Sequence, residues 1–170
     1  VGLLLFRFKN LRAEKTEVSA QLLSRESALF VGAMTICAAA LVIAVGTSWP
    51  ILSRGTVEPD FYNRMNIPLA ILIAAMNGIS ILLRWKHSEE KAFLKSLYIP
   101  VGFTVIVTLV LVILGLRDLL IAVLGAAAIF AFFINAEIAY RIFLKNRTKA
   151  GAHVAHIGIM LLFLGIIGSG

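Results

Sequence analysis

Two histidines, His153 and His156, stand at the head of an apolar run, Ala150–Gly170, that contains no Asp, Glu, Lys or Arg. A spacing of i, i+3 on a helix projects both imidazoles from roughly one face. An ionisable ring inside such a run is costly and marks a functional site by default. Three chemistries suit it: proton relay, metal ligation, or axial ligation of a haem iron. One helix face with two histidines and no nearby carboxylate cannot close a zinc site by itself. Haem takes one axial nitrogen per helix, and a flat porphyrin needs small neighbours, which Gly151, Ala152, Ala155 and Gly158 provide. The plainer alternative has one histidine bonding a neighbouring helix while the other reaches the interface. His156, the deeper of the two, carries the functional reading; His153 lies nearer the interface.

The remaining polar candidates are few. His87 sits in a charged segment and reads as solvated. Glu137, with Asn135, is near the end of another apolar run, and Arg141 four residues on is placed to pair with it. Asn77 is expected to form an interhelical hydrogen bond. The single cysteine, Cys37, lies mid-run among alanines and reads as a small buried apolar residue. It excludes a disulfide framework within the chain, and there is no CxxC or Cys/His zinc spacing.

The elements that must position these groups are membrane helices. The chain has 170 residues, 60% of them hydrophobic, with a mean hydropathy of +0.95. Residues 28–46, 65–83, 97–116, 119–136 and 150–170 carry no charged side chain. Runs of about 20 apolar residues cross a bilayer core as helices, and in lipid a helix is the form that satisfies every backbone amide within the segment. The expected fold is therefore all-α: an integral membrane helical bundle of five full transmembrane helices, with spans at about 28–46, 65–83, 97–116, 119–140 and 150–170. Residues 1–6 read as the end of a sixth, and both ends read as cut from a longer membrane protein.

The net charge of +7 is a topology signal. The loops in order hold Arg7, Lys9, Arg12, Lys15 and Arg25; Arg54 and Arg64; Arg84, Lys86, Lys91 and Lys95; Arg117; and Arg141, Lys145, Arg147 and Lys149. Basic residues concentrate in alternate loops, which places loops 7–27, 84–96 and 141–149 in the cytoplasm and 47–64 and 117–118 outside. A strict alternation of this kind is not a nucleic-acid footprint, so no nucleic-acid partner is expected.

Local signals refine the picture. Ser24 and Ser27 are candidate N-caps, and Glu26 suits the positive helix end. Pro68 and Pro100 are expected in first turns, where a missing N–H costs least. Gly115–Asp118 makes a tight external turn, so the third and fourth spans form an antiparallel hairpin. Trp49, Trp85 and Tyr140 read as interfacial aromatics. The segment 46–66, with two prolines, two glycines and the anchors Trp49, Phe61, Tyr62 and Met65, reads as an external interfacial loop centred on 47–64, either a docking surface or plain anchoring.

Several of these residues, taken in order, resemble a known family. They are Ser24-Arg25-Glu26 before a span, Gly46-Thr47-x-x-Pro50 at its outer end, and Phe61-Tyr62-Asn63 followed by Pro68. Then come a span ending Leu83-Arg84-Trp85, and Ala155-His156-Ile157-Gly158 with Gly165-Ile166. In order and spacing they resemble the middle-to-late part of the CcmF family, close to the NrfE type: haem lyase subunits of bacterial cytochrome c maturation. The resemblance implies a multi-pass inner-membrane protein that takes haem from a haem chaperone. It implies attachment of that haem by thioether bonds to the CxxCH of apocytochrome c, alongside other maturation subunits. It also implies a haem b held between two membrane histidines, with His156 matching one axial ligand of the haem iron and His153 matching none. The family's tryptophan-rich WWD segment, its flanking external histidines and its second membrane histidine are absent from these residues. This stretch alone is therefore not expected to be a competent lyase, and no catalytic residue is assigned. The competing classes are a transporter or proton-coupled channel relaying through His156 and Glu137, which needs inverted repeats that these residues do not show, and a scaffold bundle without chemistry.

Overall fold

A computed structural model describes residues 24–53, 55–84 and 88–169. Among the described residues the chain is entirely helical. It forms α1 (Arg25–Ser53), α2 (Pro59–Leu82), α3 (Glu90–Ile113), α4 (Leu119–Lys145), a 3-10 turn (Arg147–Ala150) and α5 (Gly151–Ser169). Five segments are long and apolar enough to cross a membrane, and their outer faces present large apolar side chains such as Leu109, Ile113 and Leu119. That surface suits lipid, and the chain is a multi-pass membrane protein. The expected sixth segment, residues 1–6, lies outside the described residues, as do Arg54, Trp85 and His87.

The helices run past the charge-free stretches at both ends. Residues 47–64, expected as a loop, are mostly helical: 47–53 finish α1 and 59–64 open α2. Charge marks the edge of the hydrocarbon, whereas a helix continues while its backbone groups find partners. Thr47 donates to the Ile43 carbonyl at 2.7 Å and Ser53 to that of Trp49 at 3.0 Å. Pro59 takes the N-terminal position that favours proline, and Asp60 pairs with Arg64 one turn on at 3.0 Å. With α2 starting there and α3 at Glu90, Pro68 and Pro100 fall inside helices, not in first turns. Each removes one i→i−4 bond, at the carbonyls of Arg64 and Ser96. Ser24, not Ser27, is the cap of α1: its Oγ accepts from the Ser27 N–H at 3.2 Å. The Arg25 N–H donates to the Arg84 carbonyl at 3.0 Å, tying the start of α1 to the end of α2.

Helix α4 is the hub. It packs against α2, α3 and α5, while α1 packs on α2. Of its most apolar window 39% is buried, against 11% in each other helix. The cause is side-chain size. Between helices in lipid there is little hydrophobic drive, so close van der Waals packing of small residues holds them together. Ala74 of α2, Ala128 and Ala131 of α4 and Met160 of α5 are fully buried in one cluster, flanked by Phe132, Phe163 and Leu164. At Gly78 of α2 an added Cβ would lie 2.8 Å from the Phe130 ring and 3.2 Å from the Ala131 backbone, so only glycine permits this approach of α2 to α4. Cys37, expected to be buried, is exposed on α1: among the described residues α1 packs chiefly on α2 and turns most of its surface outward.

The α3–α4 hairpin forms as its turn residues dictate. Gly115 adopts φ +122°, which L side chains rarely reach, and Asp118 caps α4 by accepting from the Ile121 N–H at 3.0 Å. Phe103 and Phe133 stack between the two helices with centroids 4.8 Å apart.

Candidate functional site

The close contact at Gly78 and Ala131 brings polar side chains of three helices together. Asn77, beside Gly78 on α2, and Asn135, one turn beyond Ala131 on α4, meet across it: the Asn135 Nδ2–H donates to Asn77 Oδ1 at 2.8 Å. The same nitrogen donates to the Ala131 carbonyl at 2.9 Å. Helix α5 completes the group from one face. His156 Nδ1 lies 2.7 Å from Asn77 Nδ2, and His153 Nδ1 lies 3.1 Å from Asn135 Oδ1. The result is a continuous chain, His153–Asn135–Asn77–His156. Asn135 is fully buried, and the other three are half-buried. Isolated polar groups at this depth would carry a desolvation cost; linked, each satisfies its neighbour.

The expected interhelical hydrogen bond of Asn77 is present, and its partner is the histidine singled out from the sequence. Asn135 is the participant that sequence reasoning missed. An asparagine within a span is itself a signal, since a side-chain amide in lipid must find a partner. Its nearness to Glu137 and Arg141 obscured this. Those two form the expected i, i+4 ion pair, largely exposed, and Glu137 is not brought into the histidine chain.

The small residues expected beside the two rings lie mostly elsewhere: at 3.6 residues per turn Gly151, Ala155 and Gly158 fall on the far, exposed side of α5 from His153 and His156. A Cβ at Gly151 or Gly158 would meet nothing within 4 Å, but that space faces outward and forms no cradle beside the imidazoles for a flat group. The donor set offers it one axial imidazole, because two histidines a turn apart on one helix cannot reach opposite faces of a porphyrin. Among the described residues no group of three or more His, Cys, Asp or Glu side chains is placed to hold a metal ion.

The comparisons with known proteins agree with the resemblance. Over 172 residues, covering 90% of this chain, it is 28% identical to the cytochrome c-type biogenesis protein CcmF of Pseudomonas fluorescens. The chain is similar to CcmF. Over 177 residues, 97% of this chain, it is 29% identical to CcmF of Escherichia coli. Over 161 residues it is 24% identical to the cytochrome c-type biogenesis protein ccl1 of Rhodobacter capsulatus. The chain spans about a quarter of the length of these curated relatives: 26%, 27% and 24% respectively. No family model and no solved structure matches it.

Proposed function

We propose that this chain acts in cytochrome c maturation, as part of a membrane protein that holds haem b and assists its transfer to apocytochrome c. The similarity to CcmF supports the biogenesis role. The observation that carries the haem reading is the second partner of His156. A ligating imidazole is oriented by a hydrogen bond at its other ring nitrogen; Asn77 lies against His156 Nδ1, a contact that serves a ligating Nε2 in the tautomer that carries its proton on Nδ1. His156, and less directly His153, would provide the axial nitrogen; a second ligand would come from elsewhere in the protein. Bound there, haem b supplies a one-electron iron couple whose potential depends on its ligands and the low-dielectric surroundings. Among the residues of this chain, Asn77 would orient the ring. The bundle sits in the bacterial inner membrane, with the basic loops cytoplasmic, in contact with a haem chaperone, apocytochrome c and other maturation subunits.

The test uses the full-length protein purified from membranes. It is expected to show a Soret band, and His156→Ala is expected to lose most of it together with cytochrome c output. A variant that keeps both would overturn the assignment. Glu137 pairs with Arg141 and is not joined to the histidine chain, so the geometry does not favour a relay through His156 and Glu137.

A further inference from the structure

The two histidines differ in which ring nitrogen is free, and the difference is imposed by a backbone carbonyl. The Ala131 carbonyl can only accept, so the atom of Asn135 that faces it at 2.9 Å is the amide nitrogen. The second hydrogen of that nitrogen goes to Asn77 at 2.8 Å, so the Asn77 atom receiving it is Oδ1. Each amide is then committed at its other end. Asn77 turns Nδ2 toward His156, and Asn135 turns Oδ1 toward His153. An amide N–H needs an acceptor, so His156 Nδ1 carries a lone pair and, in the neutral ring, its proton is on Nε2. A carbonyl oxygen needs a donor, so His153 carries its proton on Nδ1 and leaves Nε2 bare.

We infer that Asn77 and Asn135 form a tautomer lock that gives the two rings opposite protonation, leaving the ligand-competent Nε2 on His153 and an N–H at Nε2 of His156. Asn77 and Asn135 are thus positioning residues. For His156 to present Nε2 to an iron, the whole chain must run the other way: both amides turn over, both rings exchange tautomer, and the Asn135–Ala131 bond is given up. No net proton is gained or lost. The lock itself is independent of the haem reading, whereas its consequence for iron rests on that reading.

The lock is tested on full-length, haem-free protein in lipid nanodiscs, with 15N-labelled histidine, by NMR of the ring nitrogens. Signals are assigned by their loss in His153→Ala and His156→Ala. The expected result is a protonated Nδ1 on His153 and a protonated Nε2 on His156. Asn77→Asp places acceptor oxygens against His156 Nδ1 and is expected to move its proton there. Asn135→Leu releases Asn77 from the Ala131 anchor and is expected to leave His156 a mixture of tautomers; it serves if the aspartate variant does not fold. Finding His156 protonated on Nδ1 in the unsubstituted protein, or unchanged in both variants, overturns the lock. The Soret band is read separately on the loaded protein: its absence removes the haem reading and leaves the tautomer result standing. If haem is held, Asn77→Asp is expected to retain it more strongly than the unsubstituted protein.

Discussion

Asn77 and Asn135 bring two amides into a region where water cannot satisfy them, and each is used at both ends. This explains how two asparagines are tolerated between apolar helices: the unfolded alternative within the membrane still has to find partners for the same groups. Their approach depends on Gly78, where even a methyl group would press on the Phe130 ring and the Ala131 backbone. Gly78→Ala is therefore expected to destabilise the protein by about 1–3 kcal/mol, as overpacked cores do, measured by thermal unfolding in detergent. It should also weaken the Asn77–Asn135 contact, seen as altered His156 ring shifts. Much at this scale is legible in the sequence. The histidine pair and the bonding role of Asn77 follow from residue type and depth. Which side chain meets Asn77 does not, because that depends on how each helix is rotated about its axis, and small residues such as Gly78 and Ala131 decide the rotation.

At the scale of elements, the number and order of the helices could be read from charge-free runs, but their ends could not. Thr47, Ser53 and Pro59 show why: hydroxyl back-bonds and an N-terminal proline extend or start helices outside the apolar stretch. The α3–α4 turn is the exception, since Gly115 and Asp118 specify a sharp reversal by their own conformational preferences. The cap on α4 gives a test. Asp118→Ala removes the acceptor for the Ile121 N–H and is expected to cost about 0.5–2 kcal/mol, while Asp118→Asn should restore most of it. Both are measured by the midpoint of denaturant unfolding. The Glu137–Arg141 pair, by contrast, is exposed on α4, so its removal should change stability little.

For the whole molecule, the alternation of basic loops predicts an orientation that labelling can check. In a background where Cys37 is replaced by Ala, a cysteine at Arg117 should react with an impermeant maleimide from outside intact spheroplasts. One at Lys145 should react only after the membrane is opened. The reverse pattern would invert the topology and put the histidines at the outer side. The similarity to CcmF covers nearly all of this chain but about a quarter of those relatives. The exposed apolar surface of the bundle suits lipid.

The order of synthesis adds a consequence to the way the amides and imidazoles are distributed. Helices α2 and α4, which carry Asn77 and Asn135, leave the ribosome before α5. Their mutual bond, with the Ala131 anchor, involves nothing on α5. The socket can thus be assembled first and receive its plug afterwards. The incoming histidines then dock against a template whose polarity is settled.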